Sequence, residues 1–176
     1  MDSSAEWFDV VDGSDRVVGR APRGEVHRRR LLHRAVHVIL LRPDGALFLQ
    51  KRSEKKDTAP GRWVSSCSGH VDAGEDYAEA ARREIAEEIG VDAGTVEWKE
   101  IGRVEAAPET GQEFVRLFAV RGHEGPLCLN PEEIADGAWF RPDEIDAWMA
   151  RSPDDFAPSF RYLWPYFRAE ASANGL

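Results

Sequence analysis

The segment Asp76–Gly90 constrains this chain more than any other. Asp76-Tyr77-Ala78-Glu79 has the D-x-x-E spacing of two side chains that cap each other's backbone N–H groups at a helix start. Alanine and glutamate fill the body, and Gly90 stands where a left-handed residue ends a helix. Ala81, Ile85 and Ile89, helped by Ala78, fall on one face, so the helix must lie against an apolar sheet. Glu84, Glu87 and Glu88 share another face, and three carboxylates at that spacing repel. Arg83 is the only cation one turn away, and no residue from Val91 to Gly94 offsets the helix dipole at the other end. On charge alone this could be a solvated face. A hard divalent cation, Mg²⁺ or Mn²⁺, is the alternative that carboxylate oxygens admit.

Short β-rich runs surround the helix. Trp7 to Val18 reads as a hairpin about Asp12-Gly13-Ser14-Asp15, and Ala35–Leu41 with Ala46–Gln50 as a second hairpin about Arg42-Pro43-Asp44-Gly45. Lys51–Gly61 is a polar loop, followed by an extended piece from Arg62 to Ser68 that Gly69 ends. Val96–Val104 and Glu113–Val120 read as strands joined through Pro108 and Gly111, and Ala138–Phe140 as a short strand. Pro142–Arg151 reads as a helix, and Ala157–Ala169 as a last helix interrupted by Pro165. This order predicts one α/β domain with a mixed sheet over residues 1–170, with 1–34 an N-terminal hairpin and basic segment and 171–176 a loose tail.

Composition excludes several classes. The 23 Lys and Arg against 32 Asp and Glu leave a net charge of −9, which argues against general binding to a phosphate backbone. Arg20, Arg23, Arg28, Arg29, Arg30 and Arg34 make one local basic segment, better suited to a small anion than to a nucleic acid polymer. Cys67 and Cys128 are too few for a disulfide framework or a four-ligand zinc site. The start Met1–Glu6 lacks the basic and apolar regions of a signal peptide, so the expected setting is the cytoplasm, with no membrane partner.

From Gly69 to Val91 the sequence GHVDAGEDYAEAARREIAEEIGV fits Gly-x5-Glu-x7-Arg-Glu-U-x-Glu-Glu-x-Gly-U, where U is apolar, at every fixed position. It resembles the Nudix box, a match expected by chance with a probability on the order of 10⁻⁷. The resemblance implies an α/β/α sandwich of about this length with a catalytic loop–helix–loop that hydrolyses a diphosphate linked to another moiety. By match to the box, Glu84, Glu87 and Glu88 would ligate Mg²⁺ or Mn²⁺, with Gly69 supplying close backbone at the metal. Arg83 and Glu75 would brace the helix against its loop, and Gly74 and Gly90 would support the turns. A general base or further ligand often comes from a glutamate outside the box. Glu105, Glu109 and Glu113 are the candidates, and Glu113, at the start of a strand, is favoured. Arg52, Lys55 and Lys56 lie in the preceding loop as candidate phosphate contacts. His70 and the pocket residues Trp63, Phe114, Trp139 and Phe160 are candidates for substrate contact.

Upstream, His33-Arg34-Ala35-Val36-His37-Val38, Leu49-Gln50-Lys51-Arg52, Pro60-Gly61-Arg62-Trp63 and Ser68-Gly69-His70 are similar to isopentenyl-diphosphate isomerase and the Nudix hydrolases most like it. That isomerase uses a cysteine directly before the Gly-His pair. Here Ser68 holds that place and Cys67 lies one residue earlier, which in a strand turns the thiol to the other face. His27, His33 and His70 with Glu113 leave a histidine-rich second metal site open. The reading is therefore a diphosphate hydrolase, with the isomerase as alternative and a non-catalytic nucleotide sensor as a third class. Relatives are commonly homodimers, and the Trp7/Phe8 hairpin edge is a candidate pairing surface.

Overall fold

Helix α2 (Tyr77–Ile89) begins with the reciprocal cap that its sequence encodes: the Glu79 amide donates to Asp76 Oδ1 at 2.8 Å, and the Asp76 amide donates to Glu79 Oε2 at 2.9 Å. It ends at Gly90, in the left-handed region with φ 71°. The computed structural model describes residues 6–173.

Under α2 lies a four-stranded sheet in the order β6-β3-β8-β7, formed by β6 (Cys67–His70), β3 (His33–Leu40), β8 (Glu113–Arg121) and β7 (Glu97–Val104). β3 and β8 run parallel, which brings His33 beside Glu113 and His37 beside Leu117. β6 is antiparallel to β3, with Ser68 opposite His37 and Cys67 opposite Val38. A second sheet, in the order β5-β4-β9, joins β5 (Trp63–Val64), β4 (Leu47–Arg52) and β9 (Ile134–Phe140). Val36, Val38 and Phe48 pack against Ala81, Ile85 and Ile89 of α2. On the opposite side Ala35, Leu49 and Leu117 meet Ile145 of α3 (Pro142–Arg151) and Phe160 and Leu163 of α4 (Pro158–Ala173). The apolar run of β3 thus feeds two cores, as expected of a strand covered on both faces.

An N-terminal unit of β1 (Trp7–Val11), β2 (Val17–Pro22) and α1 (Arg23–Arg29) docks on the β6 side. Asp15, at φ 58° in the hairpin turn, accepts from Arg34 Nε at 2.6 Å and from the Tyr77 hydroxyl at 2.9 Å, pinning the hairpin to the start of α2. Asp9 accepts from the Gly74 amide at 2.9 Å.

Four expectations need correction. The turn between Ala35–Leu41 and Ala46–Gln50 forms, but its strands meet only at a Leu41–Leu47 bridge and then enter different sheets, because β8 and β9 are the stronger partners. Helix α4 runs through Pro165 to Ala173, so residues 171–173 of the expected tail are helical; residues 174–176 lie outside the described residues. Phe8 is fully buried and cannot offer a dimer edge, whereas Trp7 is half exposed. Four of the six basic-segment arginines are neutralised, Arg20 by Asp9, Arg23 by Asp57, Arg29 by Glu25 and Arg34 by Asp15, so that segment is largely an ion-pair scaffold.

Candidate active site

Glu84 and Glu88 are turned inward and only Glu87 faces solvent. Solvated carboxylates would each carry little stability; two of these three are instead held against the sheet. Glu88 Oε2 accepts from Gln50 Nε2 at 2.5 Å and from the Ser68 amide at 3.3 Å. Glu84 Oε1 accepts from Arg83 at 2.6 Å. Burial, reinforced by the charge of Glu88, pushes the Glu84 carboxyl upward; burial also pushes up Glu88, with Glu133 adding to the effect. A Cβ at Gly69 would stand 2.0 Å from Glu84 Oε1, so any larger residue would have to displace this carboxylate from its place beside Arg83. Arg83 reaches back to Glu75 through Nε at 3.0 Å and through a second nitrogen at 2.9 Å, and also donates to the His70 carbonyl at 3.1 Å. Gly74 and Gly90 both have positive φ, at 86° and 71°.

The C-terminal end of α2 is compensated by backbone rather than by a cation. The Cys128 amide donates to the Ile89 carbonyl at 3.0 Å and the Asn130 amide to the Glu88 carbonyl at 2.8 Å. This explains why the absence of basic residues after Val91 is tolerated.

A second polar group occupies the opposite face of the β6-β3-β8 sheet. His33 of β3, His70 of β6 and His27 of α1 present ring nitrogens within 4.8 Å of one another, close enough for one ion to touch all three. Glu113 Oε1 lies 3.1 Å from His70 Nε2 and 3.6 Å from His33 Nε2. Both Nε2 atoms are buried and face Glu113, and among the described residues neither makes a well-directed hydrogen bond. Burial alone would raise the Glu113 carboxyl, but the facing imidazoles of His33 and His70 outweigh it and hold the group well below the usual carboxylate range. Burial, with His70 and His33 nearby, lowers His27 to about 4. The Phe8 ring stacks on His70 at 4.5 Å and on His33 at 5.8 Å.

The other predicted residues separate by location. Arg52 is pushed down by burial, against the charges of Glu88, Glu133, Asp57 and Glu113. Its Nε donates to the Thr58 carbonyl at 2.8 Å. Lys55 is committed to Glu132 at 2.7 Å on the exposed rim and Lys56 to Glu133, so neither points a free ammonium at the carboxylates. Trp63 packs edge-on against Phe140 and Trp148, each at 5.5 Å, and stays partly exposed, whereas Phe160 is fully buried in the same core. Phe114 is buried beside Arg34, and Trp139 carries Arg42 over its ring at 3.9 Å. Glu105 and Glu109 are exposed. Gln50 and Glu133 are not singled out by the sequence pattern, although both act on Glu88. The only signal for Gln50 was an amide inside an apolar strand.

Residues 31–160 match the NUDIX domain family model. The chain belongs to the Nudix family. It is 37% identical over 153 residues to an uncharacterised Nudix hydrolase of Yersinia pestis, spanning 87% of this chain and 80% of that one. A Nudix hydrolase of Pseudomonas aeruginosa is 34% identical over 165 residues, with 92% and 95% covered. Among solved structures, DR0079 of Deinococcus radiodurans superposes with TM-score 0.75 at 30% identity over 83% of this chain and 90% of that one. An Ap4A hydrolase of C. elegans shares the fold at TM-score 0.57 and 19% identity, covering 81% of this chain and 100% of that one. As a Nudix hydrolase, the chain acts on phosphorus-containing anhydrides within the α/β sandwich of the family. No helix of its described residues is long and apolar enough to cross a membrane. Its family-matched segment begins at residue 31, after His27 and Phe8, so part of the histidine group lies outside it.

Proposed function

We propose that this Nudix hydrolase cleaves the diphosphate linkage of a nucleoside diphosphate derivative or another small organic diphosphate, with Mg²⁺ or Mn²⁺ held by Glu84, Glu87 and Glu88 beside the Gly69 backbone. The observation that carries the reading is the burial of Glu84 and Glu88 together, both pushed toward protonation, against a single arginine. An all-oxygen donor set of this charge fits a hard divalent cation. Such an ion, when bound, neutralises diphosphate charge and makes an attached water more acidic. The protein's own residues supply the alignment. Arg83 and Glu75 fix the helix against its loop, and Gln50 with the Ser68 amide claims Glu88 Oε2, leaving Oε1 without a partner among the described residues. Arg52 is the residue assigned to the diphosphate. Glu113, held ionised between imidazoles, acts with His27, His33 and His70 as a second cation position rather than as a free base.

That histidine group is the observation favouring the isomerase-like branch, with isopentenyl diphosphate isomerisation as the second reading. Cys67 counts against it. Its side chain packs with Val36 and Val38 on the α2 face, and burial, reinforced by Glu88 and Glu84, pushes the thiol well up, while Ser68 stands on the histidine face. The two unpaired cysteines suit a cytoplasmic setting. A homodimer, if formed, would pair through β2, where Val17 and Val18 are exposed on an outer edge; light scattering showing a monomer at micromolar concentration would remove that part.

Product analysis tests the reading, using nucleoside triphosphates, nucleotide sugars, dinucleotides and isoprenoid diphosphates with Mg²⁺. Phosphate, pyrophosphate or a nucleoside monophosphate is expected from the native protein and not from Glu88→Gln. Isomerised isopentenyl diphosphate without phosphate release would overturn it in favour of the second reading.

A further inference from the structure

The parallel strands β3 and β8 run in step as far as Leu40 and Val120, and the Leu41 amide closes the ladder on the Val120 carbonyl at 2.8 Å. Beyond that point the two chains part. β3 turns back through Arg42-Pro43-Asp44-Gly45, where the Gly45 amide donates to the Arg42 carbonyl at 3.0 Å, and β8 breaks at Gly122. Both glycines have positive φ, 82° and 86°, and a Cβ at either would meet nothing within 4 Å. The space left between the two turns is a cavity of about 560 Å³, lined by Leu41, Arg42, Asp44, Gly45, Arg121 and Gly122.

Two arginines line this space, and neither is neutralised. With 32 Asp and Glu against 23 Lys and Arg, acidic partners are in excess in this chain. Arg42 and Arg121 nonetheless make no ion pair among the described residues. Arg42 lies over the Trp139 ring at 3.9 Å, a contact that orients its guanidinium without cancelling the charge. Arg121 stands opposite Glu97 in the β7–β8 register but does not pair with it, and its Nε is buried with no hydrogen-bond partner among the described residues. The carboxylate on the wall, that of Asp44, is turned back into its own loop, where Oδ1 accepts from the Ala46 amide at 3.0 Å. Arg141 steadies the same loop by donating to the Asp44 carbonyl at 3.1 Å. Two guanidiniums against one carboxylate leave the cavity positive. A guanidinium is a planar fork of donors matched to the oxygens of a phosphate or carboxylate, and a buried N–H without an acceptor is costly.

We propose that this cavity is an oxyanion site, in which Arg121 and Arg42 hold the phosphate or carboxylate group of a small molecule. It is separate from the glutamates. Leu47, which bridges Leu41 beside the cavity, and Gln50, which reaches Glu88, are about 10 Å apart along β4, and the cavity lies beyond the Leu47 end. An anion held there needs no Mg²⁺, and the site stands whether or not the hydrolase reading does.

The test titrates inorganic phosphate and, separately, acetate into the full chain in EDTA, following amide chemical shifts by NMR and stoichiometry by calorimetry. One anion per chain is expected, with saturable shifts at Leu41–Gly45 and at Arg121 and Gly122. Arg121→Gln should weaken binding by about tenfold, and Arg42→Gln by a smaller factor because its side chain is exposed. Arg121→Lys keeps the charge but loses the fork, and should fall between the native protein and Arg121→Gln. Arg28→Gln, at an exposed arginine of α1, should change nothing. Tighter binding of phosphate identifies a phosphoryl group as the ligand, and tighter binding of acetate a carboxylate. If Arg121→Gln does not fold, the shift map of the native protein decides. Shifts that do not saturate, shifts centred on Gly69 and α2, or equal weakening by Arg28→Gln would overturn the proposal.

Discussion

Two charged groups sit on opposite faces of the β6-β3-β8 sheet, and they are built on opposite principles. The glutamates of α2 are crowded, buried and held short of their natural charge balance, with Arg83 as a single counter-ion. In the histidine group a single carboxylate faces two imidazoles, and Glu113 is more comfortable ionised there than in water. The glutamates store repulsion between like charges, whereas the histidine group already pairs its carboxylate with imidazoles before any ion is bound. The difference decides what removal of any one member does.

The comparison breaks first at Glu88 and Glu113. Glu88→Gln should lower turnover by a factor on the order of 10² or more while leaving the melting temperature of the metal-free protein unchanged or higher, because a penalised buried charge is gone. Glu113→Gln should lower that melting temperature, since it removes the partner that His33 and His70 face. Paired thermal melts and steady-state rates would read both, and equal destabilisation by the two changes would erase the distinction.

A somewhat smaller effect is expected at Gly69. Gly69→Ala pushes a methyl into Glu84, with a stability loss of about 1–3 kcal/mol and a weakened response to added Mg²⁺. Denaturant melts with and without the ion would show both.

The two groups should also answer pH with opposite signs. Glu84 and Glu88 are raised in the folded protein, so their contribution is fully present below the ordinary glutamate pKa and is lost as pH rises through the shifted values. His27 and His37 are lowered to about 4 from 6.5, and the unfolded chain binds their protons more readily; their contribution is present above 6.5 and is lost as pH falls toward 4. Glu113, also lowered, loses its contribution on the acid side in the same sense. Urea melts in EDTA should therefore show stability falling at both ends, and the double change Glu84→Gln with Glu88→Gln should flatten only the alkaline side. Added Mg²⁺ should do the same in the native protein.

The smallest effect sharpens the boundary of the histidine group. Tyr77→Phe removes one hydrogen bond to Asp15 and should cost about 1 kcal/mol, with faster amide exchange confined to the β1–β2 hairpin.

The contrast also explains what could be read from the chain. The glutamate face, its caps and its apolar underside follow a local period, so α2 was legible to within a residue. Glu113 is favoured among three glutamates by its place at a strand start, but its contact with His33 depends on the parallel register of two strands from opposite halves of the chain. Turn chemistry at Arg42–Gly45 is legible as well, but which strands flank a turn does not decide which strands pair. Lys55 and Trp63 have suitable chemistry, yet their partners, Glu132 and the Phe140–Trp148 cluster, come from distant segments. Helix α1 left no mark, having no side-chain cap and a glycine in its first turn.

The N-terminal unit gives the molecule a seam that does not coincide with its family boundary. Residues 31–160 carry the family pattern, but the wall beside His33 and His70 is supplied by Phe8 and His27, from before that boundary. Trimming the chain to residues 31–160 would therefore spare the glutamates and leave the histidine pocket open on one side, so the outline of the family domain is a poor boundary for any fragment meant to keep both groups.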